Sequence, residues 1–256
     1  MTSWIGVAIL GLLAPAVAHA DHHDMAMGGG HDTAFGAGVS LVAASYSTLD
    51  YIGNYQGVVP TLSWGSAAYS VGASFAMYRL ETNGLERFGP GDFAVHGLLR
   101  LYHHEAVTTG VVLMVSAPTG DSVGGLGMGH PMAMPAAWGA WTYGHATMTA
   151  SVGFDRAIVG SMSTHHDHGP WPLVEPMNMS ELSWSGTCDI ALGDGIHGGA
   201  RMSGGVPVGE PGHDRVVGAA RLAWGAGRVE TAAELQVGLV GDPFTLRGLV
   251  ETALHF

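Results

Sequence analysis

The chain has 256 residues and a formal net charge of −12, and its nine basic residues are all Arg. An acidic chain with scattered Arg argues against nucleic acid as a partner. Hydrophobic residues make up 47 % of the sequence, yet after the N-terminal region no apolar run approaches the ~18 residues of a membrane-spanning helix. Alternating strands of a membrane barrel give this combination. The single Cys188 excludes an intrachain disulfide.

The N-terminal residues 1–20 read as a cleaved signal peptide. An apolar run is followed by Pro15 and by small residues at Ala18 and Ala20, which fit an A-x-A cleavage site. Residues 21–33 have no apolar periodicity and are predicted to form a flexible His- and Met-rich tail in the periplasm. The folded domain is predicted to span residues 34–256.

Apolar and polar residues alternate repeatedly along that domain, which predicts strands because successive strand side chains point to opposite faces. We predict an all-β fold, a transmembrane antiparallel β-barrel of about twelve strands. The predicted strands lie near residues 35–41, 51–63, 69–77, 93–102, 111–115, 134–143, 146–158, 178–192, 196–206, 214–224, 228–240 and 244–256.

The predicted connections alternate between short turns and long loops. Long loops are expected at residues 81–92, 122–131 and 161–177, and tight turns at residues 144–145, 193–195 and 225–227. An outer-membrane barrel has this arrangement, with short periplasmic turns and longer extracellular loops. The same count places the loops around residues 128–134 and 165–168 on the exterior, and predicts an outer-membrane location in a bacterium.

The final strand ends the chain on an aromatic residue. Its two alternating sets differ, since Phe244, Leu246 and Val250 belong to an apolar set and Arg247 and Glu251 to the other. The ending at Phe256 resembles the terminal strand of bacterial outer-membrane barrels. This resemblance implies outer-membrane lipid and the outer-membrane assembly machinery as partners.

Aromatic residues are expected to form two girdles at the membrane interfaces. One set falls near the predicted periplasmic strand ends and comprises Trp64, Tyr69, Tyr102, Tyr143, Trp224 and Phe256. A second set falls near the opposite ends and comprises Tyr51, Tyr78, Phe93 and Phe244.

If the apolar set faces lipid, the ionisable set lines the lumen. Buried charges must be paired or hydrated, so these residues form either a cross-lumen salt-bridge network or a water-filled path. Twelve strands predict a narrow passage, between filled eight-stranded barrels and open porins. The predicted lumen residues are His96, Arg100, Asp155, Glu181, Asp189, Arg201, Arg221, Glu230, Glu234, Arg247 and Glu251.

The segment from Gly91 to Asp121 carries a family resemblance. Gly91-Asp92 opens a strand that contains Arg100, and the following apolar strand ends in Pro-Thr-Gly-Asp at residues 118–121. This segment resembles a family of outer-membrane transporters linked to the meta-cleavage pathway of phenol degradation. The resemblance implies a barrel that moves small, often aromatic, molecules, and it implies no catalytic residues.

The chain departs from that family in its clusters of His and Met. Thioethers are soft ligands that select Cu(I), and imidazole suits copper and zinc. We predict no required cofactor, and copper or zinc ions as ligands of these clusters. The candidate ligands are His22, His23, Met25, Met27 and His31 in the tail, Met128, His130, Met132 and Met134 in one loop, and His165, His166, His168, Met177 and Met179 in another.

The sequence therefore predicts an outer-membrane channel for small solutes, with copper-class ions handled at the outer mouth. One alternative is an uptake channel for aromatic or other hydrophobic molecules. A second is a surface protein that sequesters metal without transport. An outer-membrane hydrolase is the least favoured alternative, and no catalytic residue is predicted.

Overall fold

A computed structural model defines the fold. It describes residues 34–47, 51–158, 171–175, 177–209, 212–242 and 244–256. The predicted signal peptide, the tail at residues 21–33 and the ligands His165, His166 and His168 lie outside the described residues, so those expectations stay predictions.

Twelve antiparallel strands form one closed barrel in which each strand pairs with its neighbours in sequence. The prediction of a twelve-stranded all-β barrel is confirmed. The strands are β1 (Ala34–Ser47), β2 (Ile52–Gly65), β3 (Tyr69–Thr82), β4 (Leu85–His104), β5 (Val107–Ala117), β6 (Met132–Tyr143), β7 (Ala146–Ala157), β8 (Ser180–Gly193), β9 (Ile196–Pro207), β10 (Arg215–Ala226), β11 (Val229–Val240) and β12 (Phe244–His255).

The pairing of β1 with β12 closes the sheet. Their register runs from Gly36 opposite His255 to Tyr46 opposite Phe244, and the Phe256 N–H donates to the Phe35 carbonyl at 2.9 Å. Closure leaves no strand edge with unpaired backbone groups, as a hydrocarbon environment demands. The described residues contain no helix that could cross a bilayer.

The outer wall of the barrel is apolar. Leu222, Leu235 and Val250 are about half exposed on neighbouring strands, while the residues that alternate with them are turned inward. An exposed belt of this extent on a closed barrel is what contact with lipid requires. The fold is therefore that of an outer-membrane-type β-barrel.

One end of the barrel carries tight turns and the other carries the longer connections. The tight turns lie at residues 66–68, 105–106, 144–145, 194–195 and 227–228, and the longest loops at residues 118–131 and 158–179. We call these the short-turn end and the long-loop end. Both termini of the barrel lie at the short-turn end, which is the periplasmic end in outer-membrane barrels.

The predicted long loop at residues 81–92 is wrong. β3 continues to Thr82 and β4 begins at Leu85, so a turn at Asn83 and Gly84, both with positive φ, connects them. The charged residues that suggested a loop lie on this hairpin, where the Arg79 Nε donates to Glu86 at 2.6 Å. Ion pairing between neighbouring strands lets a polar sequence form a strand at the long-loop end.

Two residues assigned to the outer aromatic girdle point into the barrel instead. Phe244 is 2 % exposed and Tyr78 is also 2 % exposed. The register of β12 against β1 shifts between Ser45 and Tyr46, so that Thr245 is an extra residue. A β-bulge reverses the side-chain alternation, and this explains why Phe244 leaves the lipid-facing set.

The aromatic residues of the short-turn end do form contacts near the predicted girdle. The rings of Trp64 and Tyr69 lie 5.5 Å apart, and those of Phe35 and Phe256 lie 6.2 Å apart. Trp64 and Phe256 are exposed on the outer wall. Amphipathic and aromatic rings at this level suit the membrane interface.

A lipid-facing wall predicts a depth-dependent response to charge. Leu235→Arg, at the middle of β11, should cost about 2–4 kcal/mol of folding free energy in bilayers, whereas Leu192→Arg, at the end of β8, should cost about 0–1 kcal/mol. Denaturant unfolding in lipid vesicles measures both. Similar small costs for the two variants would show that the wall does not contact lipid.

Candidate functional site

The interior of the barrel is the candidate functional site. None of the eleven side chains predicted to line the lumen is exposed. Five are buried, namely Asp155, Glu181, Asp189, Glu230 and Arg247. Six are half-buried, namely His96, Arg100, Arg201, Arg221, Glu234 and Glu251. The period-2 pattern thus places the ionisable set inside the wall.

A chain of polar contacts crosses the interior from β9 to β2. Arg201 forms a salt bridge with Glu234, and the Gln236 amide donates to the same carboxylate at 2.5 Å. The Arg247 Nε donates to the Gln236 Oε1 at 2.6 Å, and its Nη1 lies 3.4 Å from the Tyr55 hydroxyl. This arrangement compensates the interior charges, as burial requires.

Arg247 lies where this polar network meets an aromatic cluster. Its guanidinium carbon lies 3.9 Å from the centre of the Phe244 ring, within the range of a cation–π interaction. The rings of Tyr46 and Tyr55 are 5.7 Å apart, and those of Tyr55 and Tyr78 are 5.9 Å apart. Aromatic side chains therefore form a buried cluster inside the barrel toward its long-loop end.

A second charged group lies between β7, β8 and β10. Arg215 pairs with Glu181 at 2.5 Å, and the Glu181 carboxylate also accepts a hydrogen bond from the Asn178 amide at 2.7 Å. Asp155, opposite Glu181 in the strand register, accepts from the Ser183 hydroxyl at 3.1 Å. One Arg thus faces two adjacent carboxyl groups.

The loop after β5 folds into the barrel. Leu126 is 2 % exposed, Met128 is 6 % exposed and His130 is 7 % exposed, while Met132 and Met134 belong to β6 and are buried. The loop at residues 128–134, expected on the exterior, belongs to the long-loop end but packs inside the barrel there, because this removes apolar Leu and Met side chains from water.

Asp92 holds the loop in this position. Its Oδ1 accepts from the Gly120 N–H at 2.9 Å, and its Oδ2 accepts from the Met128 N–H at 2.8 Å. The Thr119 hydroxyl oxygen accepts from the Phe93 N–H at 2.8 Å. A Cβ on Gly127 would lie 2.5 Å from the Asp92 Oδ1, so the close approach requires glycine. We call these contacts the Asp92 clasp.

Asp121 fixes the start of the same loop. Its Oδ2 accepts from the Arg87 guanidinium at 2.6 Å, and its Oδ1 accepts from the Gly124 N–H at 2.9 Å. Burial opposes ionisation of this carboxyl, but the hydrogen bonds from Gly124 and Arg87 outweigh it and lower the pKa of Asp121. The Arg87 guanidinium also lies 5.1 Å from the Trp171 ring.

The segment at residues 171–175 joins the folded loop. The Val174 N–H donates to the Gly125 carbonyl at 2.9 Å, and the Tyr78 hydroxyl donates to the Glu175 carboxylate. Removal from water raises the pKa of Glu175. Two segments expected outside the barrel, residues 118–131 and 171–175, therefore meet inside its long-loop end, and we call these two segments the plug.

The remaining predicted ligands divide between the described and undescribed parts of the chain. Met177 packs against the buried Met cluster of β5 and β6, and Met179 is half-buried. Within the described ranges, no three His, Cys, Asp or Glu side chains converge as a metal-binding set. This absence concerns His, Cys, Asp and Glu as ligands; the thioether sulfurs of Met are a separate ligand type.

The sequence did not predict the clasp, although several of its residues carry the family resemblance. The residues of Gly91-Asp92 and of the Pro-Thr-Gly-Asp segment at 118–121 carried the family resemblance, and the structure brings these two segments together. A carboxylate next to a Gly-rich stretch was the available signal, because backbone N–H groups of glycines can approach an acceptor closely.

The fold resembles solved outer-membrane channels. Similar structures include the COG4313 outer-membrane channel from Pseudomonas putida F1, with a TM-score of 0.67, 11 % identity, and coverage of 87 % of this chain and 95 % of that chain. The NanC porin matches with a TM-score of 0.56 and 8 % identity, covering 84 % of this chain and 98 % of that chain. The KdgM porin matches with a TM-score of 0.53 and 8 % identity, covering 86 % of this chain and 99 % of that chain. No protein-family model and no curated protein matches the sequence.

At sequence identities of 8–11 %, these TM-scores show a shared fold alone. The interior and the wall together define an outer-membrane β-barrel of porin-like architecture. The resemblance to the phenol-pathway transporters in particular stays a prediction.

Removing the negative charge of Asp92 should destabilise the loop that the clasp holds. Asp92→Asn replaces an acceptor oxygen by a donor NH2 group that faces a backbone N–H, and loss of a charged hydrogen bond costs about 1.5–3 kcal/mol. Amide hydrogen exchange of residues 119–128 should accelerate by roughly 10- to 100-fold. Asp194→Asn, in the exposed turn after β8, is the matched control, and equal protection in the two variants would contradict the clasp.

Proposed function

We propose that this chain is an outer-membrane channel for small solutes, whose passage is narrowed at the long-loop end by the plug. The observation that carries the proposal is a charged interior with loop segments packed into one end of it. Ionisable side chains line the inside of the wall, and loop segments held by side-chain contacts pack into the long-loop end. A segment inserted into the barrel can move without breaking any strand pairing.

Half-buried charges support passage of polar solutes through the short-turn half. Arg100, Arg221 and Glu251 keep part of their surface accessible, as residues beside water in a lumen do. Arg247, at the boundary with the aromatic cluster, carries a positive charge into the zone that we propose is narrowed. Charges at such a constriction set ion preference.

The aromatic cluster favours aromatic molecules as one solute class. Tyr46, Tyr55, Tyr78 and Phe244 are buried around Arg247, and Trp171 of the plug packs into the same cluster. Offset or edge-to-face contacts with such rings stabilise an aromatic solute. Copper-class ions are the second class, favoured by the buried methionines of β5 and β6.

Experiments can distinguish the other functions predicted from the sequence from a channel. A protein that sequesters metal without transport would bind ions and show no conductance. The expectation that the chain has no catalytic site stays a prediction.

Planar-bilayer recording of the full chain tests the proposal. We expect a small conductance, because the plug and the Arg247 network narrow the passage. Arg247→Ala should raise the conductance and shift the ion preference toward cations, since a positive charge inside the barrel beside Gln236 and Tyr55 is lost. Arg228→Ala, in an exposed turn, is the control and should leave both unchanged.

Absence of flux through the wild type and through Arg247→Ala, for ions and for small aromatic solutes in liposomes, would contradict a channel. A sequestering protein would then be the better account.

A further inference from the structure

Four methionines surround one small cavity under the plug. The cavity has a volume of about 40 Å³, and Met114, Met128, Met134 and Met177 contribute to its wall. They come from β5, from the plug loop, from β6 and from the segment before β8. The chain has 13 Met in all, and others such as Met148 and Met202 lie exposed on the outer wall, so this convergence is specific to the interior.

The strand register places an imidazole beside this group. His96 lies opposite Met114 on β5, and Met114 lies opposite Met134 on β6. Directly opposite residues have Cβ atoms ~4.5–5.5 Å apart, and Met114 and Met134 are 3 % and 1 % exposed. On the other side of His96, the opposite residue is Gly72 of β3. A Cβ on Gly72 would lie 2.4 Å from the His96 Nε2. Glycine there makes room for the imidazole.

The imidazole has unused binding capacity. The His96 Nδ1 is buried and has no hydrogen-bond partner among the described residues. A buried polar atom without a partner costs about 1–3 kcal/mol. A ligand that accepts the nitrogen lone pair would offset this cost.

Carboxylates complete the wall of the cavity. Asp92 and Glu175 both line it, and Asp92 is the residue that positions Met128 through the backbone N–H. Neutral thioethers leave the charge of a bound cation uncompensated, and a nearby carboxylate balances it. The cavity exceeds the ~10–15 Å³ that one water requires, so it can hold a single ion.

We infer that this cavity is a binding site for a soft monovalent cation of the Cu(I) class, with thioether ligands from Met114, Met128, Met134 and Met177. The His96 imidazole is next to Met114 in the strand register but is not part of the cavity wall. Thioether ligands select soft ions over the hard cations that prefer oxygen. The inference rests on the proposed channel for the route by which the ion arrives. It places the metal inside the barrel, with ligands that are all among the described residues.

Methionine-methyl NMR of the intact chain tests the site without any substitution. Ag(I) serves as a redox-inert probe of the same class, added to protein labelled at the Met methyl groups. The resonances of the four cavity methionines should shift, and those of Met148 and Met202 should not. Shifts confined to the tail methionines Met25 and Met27, or no shifts, would overturn the inference.

A pair of variants tests stoichiometry. Met114→Leu with Met134→Leu conserves volume and costs little packing energy, but it removes two sulfur ligands. Bound Ag(I) and anaerobically supplied Cu(I), measured after desalting, should fall by one equivalent relative to the wild type. The control pair Met148→Leu with Met202→Leu should bind as the wild type does, and equal binding by both pairs would overturn the site.

The conductance of the same variants separates this inference from the channel. A cavity variant that conducts but binds one equivalent of ion less than the wild type supports both the channel and the metal site. A wild type that binds the ion and shows no conductance refutes the channel and leaves the site standing. A wild type that conducts without cavity-methionine shifts refutes the site alone.

Discussion

Backbone hydrogen bonding in hydrocarbon is the constraint on which this structure depends. No water is available to unpaired backbone groups inside a bilayer, so the sheet must close. β12 pairs with β1 along almost its whole length, and this closure gives every strand one face toward lipid and one toward the interior. The bulge at Thr245 is tolerated because the pairing resumes on both sides of it, and it turns Phe244 inward beside Arg247.

A closed twelve-stranded wall encloses more space than its own side chains need. At the long-loop end, the chain fills this space with tyrosines, with the plug and with buried methionines. Toward the other end, Arg100, Arg221 and Glu251 stay partly accessible. The Asp92 clasp joins the plug to the thioether cavity, since one carboxylate fixes the loop and also positions Met128 in the cavity wall.

Period-2 alternation was sufficient to predict the twelve strands and the inward side of the ionisable residues, because both follow from local geometry. It failed at two places for different reasons. The charge-rich stretch at residues 81–92 forms a hairpin around Asn83-Gly84, and this local turn signal was outweighed by the polar composition. The loop at residues 118–131 folds inward because Asp92, far away in sequence, supplies acceptors for its N–H groups. No local pattern encodes that long-range contact, and composition alone made Met128 look like a surface ligand.

The central claim is that the plug narrows the passage through the barrel. Single-channel recording of the intact chain beside a chain in which a Gly-Ser link replaces residues 122–129 tests it most directly. The account predicts a severalfold larger, stable conductance for the shortened chain, with unchanged strand content by circular dichroism. Equal conductance of the two folded proteins would contradict it.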